Sequence, residues 1–426
     1  MVKVVEQVSA AIQKRMSDGF VRNLGWMGVS QLIVRISRLA ATVILPRFLS
    51  QYDYGLAALV LTTYEFTQVF TRIGISAKVI QAEDDRLEEI SHSAYWLNWV
   101  VYTALFFLQC LAAFPIAWFY NDNQLIVPIC ALAVTYLIGP LGRVQASLVQ
   151  RENRFKIVAL NQTITLVTAN ILTALFAFWG LGMWAIVLPR ILVAPIEFIV
   201  YCAYHPWRCR KGFTTKYWGE IFKFGSSILG INLLKTLRDN MDYLIVGRFL
   251  GLKELGVYYF AFNAGLGISL SIIQSIIVAL YPHLCAVRSD FAKLKESYYK
   301  SLRTIGKIMV PFVLVQSVFA PFYVPVLFGK EWVVAVPVLI LICLSAIPRP
   351  FDAAAFQLLA SVDKPQIGLL WNVAFTLLFT VALMIGVYWQ AIGVAAAVLI
   401  IHVIFVPIFL IWTNRYVFGP RSPFAT

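Results

Sequence analysis

The sequence predicts an all-α polytopic membrane protein, with about twelve transmembrane helices in two pseudo-symmetric six-helix lobes around a central cavity. Three observations carry that expectation. Of the 426 residues, 60% are hydrophobic and only 13% are charged, about half the charge of an ordinary soluble domain. The apolar residues fall into repeated runs of about 20, the length that crosses a bilayer as a helix. The chain also repeats itself: Arg47-Phe48-Leu49 followed by Gly55 returns as Arg248-Phe249-Leu250 followed by Gly256.

Twelve spans follow from the apolar runs, at 23–46, 54–76, 92–118, 124–146, 158–179, 183–204, 222–247, 255–281, 304–327, 333–359, 366–388 and 391–413. Span 1 ends at Pro46, and Gln51–Gly55 reads as a turn into span 2. Residues 81–93 read as a solvated surface helix, Asn121–Asn123 as a tight turn, and Trp179–Gly182 as another. Pro189 and Pro195 predict a bend in span 6. In the second half, Pro337 answers Pro128, and 390–399 parallels 179–188. The offset drifts from 201 to 211, as loop insertions produce. The predicted organisation is a cytoplasmic segment 1–22, a lobe 23–204, a basic linker 205–221, a second lobe 222–413 and a tail 414–426. Two halves with even numbers of spans enter the membrane in the same direction, a parallel repeat around an axis along the membrane normal. The first 22 residues lack the apolar core of a cleavable signal and suit a surface amphipathic helix or a tail.

Lys and Arg set the orientation. With the N-terminus inside, 25 of the 35 lie at the cytoplasmic side. Only Arg47, Arg248, Lys253 and Lys330 lie opposite, and Arg35, Arg38, Arg190, Lys235, Arg238 and Arg349 fall within spans. Both termini are therefore expected to be cytoplasmic. The net charge of +14 is mostly this bias, so nucleic acid is not an expected partner. The basic loops 205–216 and 286–307 can rest on anionic headgroups. The six cysteines form no metal or CxxC spacing and read as reduced thiols.

Cations inside spans are costly, about 2.5–3.5 kcal/mol each on insertion scales. Arg35 and Arg38 stand one turn apart in span 1, and Lys235 and Arg238 repeat the arrangement in span 7. One reading is ion pairing with Asp239, Asp242 or Glu65. The other is convergence on a cavity where the four bind an anion, since the planar fork of Arg suits phosphate. Glu65, Asp239 and Asp242 are either counter-ions or sites for a coupling Na+ or H+. Arg190 has Glu197 or water as partner, Arg349 and Asp352 form a local pair, and His402 is packed mid-span. No P-loop, G-x-S-x-G, H-E-x-x-H or DxD-like site is present, and no extramembrane segment exceeds about 25 residues, so no catalytic or metal site, and no enzyme, is expected.

LPRFLSQYDYGLAAL (45–59), QRENRFKIVALNQ (150–162) and above all the stretch 224–263 carry a resemblance. They resemble the polysaccharide-transporter branch of the multidrug/oligosaccharidyl-lipid/polysaccharide (MOP) exporter superfamily, over nearly the whole chain. The resemblance implies a Wzx-type flippase of the bacterial cytoplasmic membrane. Its cargo would be undecaprenyl-diphosphate-linked oligosaccharide, for O-antigen, exopolysaccharide or capsule, carried from the inner to the outer leaflet by alternating access. It also implies that Arg35, Arg38, Lys235 and Arg238 meet the diphosphate or anionic sugars. A polysaccharide polymerase and a chain-length regulator would be possible partners besides membrane lipids. Many relatives have fourteen spans where this chain has twelve. A cation-coupled multidrug antiporter and a peptidoglycan-precursor flippase are the alternatives; paired basic residues speak against the first.

Overall fold

The computed structural model describes residues 19–210, 212–288 and 290–419. The predicted segment 1–22 therefore lies outside the described residues up to position 18, and the tail 414–426 from position 420. Among the described residues there are helices and turns and no strand. In chain order they are α1 (Gly19–Ile44), α2 (Gln51–Val69), α3 (Ile75–Gln81), α4 (Leu87–Tyr120), α5 (Ile126–Ile138), α6 (Pro140–Arg151), α7 (Phe155–Phe178) and α8 (Trp184–Tyr204). There follow α9 (Trp218–Leu250), α10 (Leu252–Ala261), α11 (Gly267–Val287), α12 (Phe291–Leu327), α13 (Val336–Leu344), α14 (Arg349–Ser361), α15 (Pro365–Gly386) and α16 (Gln390–Phe418).

Each predicted span has its helix, with α5–α6 and α13–α14 each taking one span as a broken pair and α10–α11 joined through a π-helical turn at Phe262–Leu266. Seven described stretches are long and apolar enough to cross a bilayer by length and composition, or eight if the pair bent by 54° at Gly139–Pro140 counts as one. One of the seven, Pro365–Phe418, has 54 residues, about 80 Å of helix at 1.5 Å per residue against a hydrocarbon core of about 30 Å. It turns back at Gln390, whose φ is 58°, and α15 packs on α16, so it supplies two crossings. The charged helices α2 and α9 are not among the seven.

Several boundaries differ from the sequence expectation for simple reasons. Gln51–Gly55 is the first turn of α2 rather than a link, with Asp53 accepting from Ser50 N (3.2 Å) at its start. α9 runs through Gly247 and stops at Gly251, whose φ of 85° suits glycine; α10 restarts at Leu252, not at Gly256. Residues from Leu87 belong to the long α4 instead of a separate surface helix. The 286–307 "loop" is mostly helix: Asp290 accepts from Lys293 N (3.1 Å) as N-cap, and α12 is continuous from Phe291. Both Pro189 and Pro195 lie within a continuous α8. All six cysteines are free thiols.

The repeat is visible in the backbone. Left-handed residues fall at Asn121 and Gly329, at Asn153 and Asp363, and at Gly180 and Gln390, spacings of 208, 210 and 210. Each pair ends the corresponding helix of its half: α4 and α12, α6 and α14, α7 and α15. Asn and Asp tolerate this conformation better than other residues bearing a side chain.

By their contacts the residues divide into two compact units, one comprising residues up to Leu49 with Val60–Leu237, the other Ser50–Leu59 with residues from Arg238 onward. In the first unit, α1 packs on α7, α7 on α8, and α4 on α5. Its buried core near the basic end joins Ile73, Val79, Ile90, Leu97 and Leu148 to Ile221 of α9. The linker residues lie against this unit: Trp207 meets His92 (5.4 Å), Phe213 meets Trp96 (5.6 Å), Lys216 pairs with Glu89 (2.8 Å), and Trp218 Nε1 donates to Ser93 O (3.2 Å).

In the second unit, the first turns of α2 and α10 cross with almost no separation. A Cβ on Gly55 would lie 1.9 Å from Leu252 O, and a Cβ on Gly256 would lie 1.7 Å from Gln51 O. The two contacts exchange under the 201-residue repeat, so the crossing is reciprocal. Tyr54 seals it, edge-on to Trp332 (4.9 Å) and Phe260 (6.3 Å), while Gln51 Nε2 donates to Glu331 O (2.9 Å). The repeated glycines of the sequence are thus required by contact of backbone with backbone. Gly55→Ala or Gly256→Ala should cost about 1–3 kcal/mol or more by overpacking, measured by denaturant titration in detergent. Gly25→Ala, which meets nothing within 4 Å, should leave stability near wild type.

Candidate functional site

A polar cluster inside the apolar helices of the second unit is built from α9, α10, α14, α15 and α16. Arg238, midway along α9, donates from Nη1 to Asn372 Oδ1 on α15, and its Nε stands 3.5 Å from Asp239 Oδ1. One turn further on, Asp242 is buried at 4% exposure. Its Oδ2 accepts from Tyr258 OH of α10 (2.8 Å) and its Oδ1 from Tyr243 N (2.9 Å). Arg349, at the start of α14, is within electrostatic reach of Asp239, Asp242 and Tyr258. Asp352 faces Arg238 and accepts from Trp371, whose indole stacks on Phe409 at 4.6 Å.

This arrangement corrects one expectation and divides another. Arg349 and Asp352 are not a closed local pair: Arg349 Nε and Asp352 Oδ1 are both buried without a hydrogen-bond partner. Asp352 still feels Arg349, but each also faces charges brought by α9, which only tertiary packing can supply. Arg238 is ion-paired with Asp239, as the counter-ion reading holds, yet it keeps the fork geometry of a group able to bind a second acceptor. Two guanidiniums and three carboxylates give +2 − 3 = −1 if all are ionised. Such a cluster can take up one positive charge.

His402 of α16 borders the cluster. Its Nδ1 lies 2.7 Å from Val398 O, an oxygen that only accepts, so Nδ1 carries the proton. The ring stands edge-on to Phe375 (5.3 Å) and Phe379 (5.9 Å). It is a packed histidine, as expected.

The other predicted residues belong to the first unit. α1 is anchored on α7 by Ser30 Oγ to Ala159 O (3.0 Å), by Ser30 to Thr163 (2.6 Å) and by Asn170 Nδ2 to Ser37 Oγ (2.9 Å). At about 100° per residue, Gln31, Arg35, Arg38 and Thr42 form a strip about 60° wide. It lies between that packed face and the exposed apolar face of Leu32, Ile33, Ile36 and Leu39. Arg35 is half-buried and Arg38 exposed on this strip. Lys235 is exposed on α9, three residues before Arg238, and Glu65 is exposed on α2. The structure therefore gathers Arg238, Asp239 and Asp242 into one cluster, and Arg35 and Arg38 onto one strip.

Sequence reasoning missed Asn372 and Trp371, and Tyr258, one of the aromatics near the charged stretch, serves as a hydrogen-bond donor to Asp242. A lone Asn within LLWNVAF (369–375) was the available signal. It also missed Arg143. Past the Gly139–Pro140 bend, Arg143 Nη1 pairs with Glu197 Oε1 of α8 at 3.1 Å and meets Tyr102. The partner suggested for Arg190 is thereby taken by another arginine.

If the cluster holds its charges as described, Tyr258→Phe should cost about 1.5–3 kcal/mol, the worth of a hydrogen bond to a charged group. Arg349→Ala should cost more, about 3–5 kcal/mol, by leaving buried carboxylates without their cation. Denaturant titration of both variants in the same detergent checks the order.

Residues 44–337 match the family described as "Polysaccharide biosynthesis protein". The lipopolysaccharide biosynthesis protein WzxC of Escherichia coli (strain K12) is 26% identical over 391 residues, covering 89% of this chain and 77% of that one. The fold is similar to that of the lipid II flippase MurJ in an inward closed conformation, with a TM-score of 0.73 at 14% identity over 91% of this chain and 87% of that chain. It is also similar to a multidrug resistance MATE family transporter of the MOP superfamily in an inward-facing conformation, with a TM-score of 0.72 at 13% identity over 89% and 94%.

Proposed function

The chain belongs to the polysaccharide biosynthesis protein family, and from that premise we propose that it is a flippase for lipid-linked oligosaccharide, moving undecaprenyl-diphosphate-linked repeat units from the inner to the outer leaflet of the bacterial cytoplasmic membrane. The observation that carries this reading is the family match over 44–337 on a polytopic helical chain whose apolar helices hold Arg35, Arg38, Lys235 and Arg238. A membrane helix retains such cations only against a countercharge, water or a ligand.

In this reading Arg35 and Arg38, and Lys235 with Arg238, bind the diphosphate. The paired donors of arginine match its oxygens. The oligosaccharide occupies a hydrated lumen, and the polyprenyl tail stays in lipid. Alternating access between two membrane faces, in the manner of parallel-repeat transporters, carries the headgroup across. An anionic load moving outward is favoured by an inside-negative potential, by about 2.3 kcal/mol per charge per 100 mV. No bond is made or broken, so the protein is a transporter and not an enzyme. Both termini are cytoplasmic by the positive-inside bias, and a polymerase and chain-length regulator are candidate partners.

Resetting the empty carrier falls to the acidic cluster. Asp239 and Asp242, two of five ionic groups that together carry an excess of one negative charge, are the proposed seat of a coupling H+ or Na+. Glu65 is a second candidate.

Cells lacking the protein should accumulate undecaprenyl-diphosphate glycan in the inner leaflet and lose surface polysaccharide, as read by leaflet-resolved labelling. An unchanged distribution with altered tolerance of cationic drugs would favour an antiporter instead. Arg35→Ala, Arg38→Ala, Lys235→Ala and Arg238→Ala should each lower transport at least ten-fold at equal membrane levels, with Arg→Lys restoring only part. Full activity in all four would remove the cations from the binding site.

A further inference from the structure

Helix α12 is longer than a membrane crossing requires. Its 37 residues extend about 55 Å, so about 25 Å projects past a hydrocarbon core of about 30 Å. The buried face is continuous, through Leu294, Tyr298, Leu302, Ile305, Met309 and Val313. The opposite face changes character along its length. Lys293, Lys300, Arg303 and Lys307 are exposed in the first half. At about 100° per residue they lie within an arc of about 80°. The same face then turns apolar and stays exposed: Ile308 48%, Val315 57%, Val318 64%, Phe322 69% and Val326 70%.

The level of the change is marked by a second helix. Phe418, at the end of α16, packs on Phe291 (5.4 Å), Tyr298 (5.9 Å) and Tyr299 (6.0 Å). Six residues back, about 9 Å along the helix, Trp412 is 45% exposed and stacks on Tyr416 at 5.2 Å. An exposed Trp–Tyr pair is the side-chain chemistry of the membrane interface. The same six residues counted along α12 from Tyr298, which Phe418 touches, end beside Arg303. Asp290 is engaged by Lys293 (3.1 Å) and Glu296 shares the face, so Lys300, Arg303 and Lys307 leave a net excess of two positive charges there.

We propose that this face of α12 is a binding site for anionic phospholipid of the cytoplasmic leaflet, with Lys300, Arg303 and Lys307 holding the headgroup phosphate and Ile308–Val326 receiving the acyl chains. The face matches both ends of such a lipid in order, cation first and hydrocarbon after, along one helix. A soluble acidic protein would match only the first half. The proposal concerns the protein's lipid surroundings and does not depend on which cargo it carries.

The test uses the full chain in vesicles of phosphatidylcholine and phosphatidylglycerol at 3:1, with a photo-crosslinking amino acid at position 308. Lipid adducts are counted by mass spectrometry. Phosphatidylglycerol should exceed its bulk share several-fold at low salt. A surface cation is worth at most roughly a five-fold change in association, so R303Q should lower the ratio of phosphatidylglycerol to phosphatidylcholine adducts part of the way, and K300Q/R303Q/K307Q should bring adducts to the bulk ratio. The three side chains are exposed, so thermal unfolding of the triple variant should match wild type. Adducts at the bulk ratio in wild type, or enrichment that survives the triple change in folded protein, would overturn the site. So would displacement of phosphatidylglycerol by a small mole fraction of undecaprenyl phosphate, which would make the face a substrate platform. Adducts formed only in native membranes, and to protein instead of lipid, would equally refute it.

Discussion

Placing ionised side chains inside apolar helices is the constraint on which the rest of this structure depends. At about 2.5–3.5 kcal/mol for each centrally placed charge, the six cations read within spans approach or exceed the whole stability of a typical folded protein, about 5–15 kcal/mol. The second unit meets that cost by assembly. Arg238 takes Asn372 and Asp239, Asp242 takes Tyr258, and Arg349 and Asp352 face groups brought by another helix. The partners come from α9, α10, α14 and α15, so folding these helices together and neutralising their charges are one event. The first unit uses the same device in closed form in the pair of Arg143 with Glu197.

The two halves separate backbone demands from chemical ones. Where a helix must end in a left-handed residue, the halves use Asn121 or Gly329, Asn153 or Asp363, Gly180 or Gln390. The positive φ persists while the residue changes, and at Gly329 and Gln390 ψ changes with it. Where two backbones touch, as at Gly55 and Gly256, both halves keep glycine, because no side chain fits at under 2 Å from a carbonyl oxygen. Ionic chemistry has diverged: the acids beside Arg238 have no counterpart beside Arg38, which lies on a strip with Gln31, Arg35 and Thr42.

The same chain is organised along the membrane normal. Arg151 donates to Ile80 O (2.8 Å) and Asp84 (2.6 Å) at the end of α3. The linker aromatics pack over α4, and the cationic face of α12 gives way to an apolar one where Trp412 and Tyr416 stack. Basic residues on this side thus serve several ends: some cap carbonyls, some pair with acids, and some remain exposed where headgroups lie.

Composition and period alone determined that the chain is helical, that it crosses a membrane many times and that it is built twice. Those properties rest on local quantities: the length of apolar runs, the count of charges, and glycines repeated at a fixed offset. They also marked Arg238, Asp239 and Asp242, because a charge in an apolar run is conspicuous wherever it points. What tertiary structure decided was partnership. That Arg349 faces Asp239 and Asp242 rather than closing on Asp352, that Asn372 accepts from Arg238, and that Glu197 takes Arg143 in place of Arg190 could not be read along the chain. Helical spacing assigns a residue to a face, but which helix lies opposite that face is set by packing among segments more than a hundred residues apart in two of these contacts. In a medium without water to satisfy a stray charge, that choice decides which groups are spent on one another and which remain for a ligand.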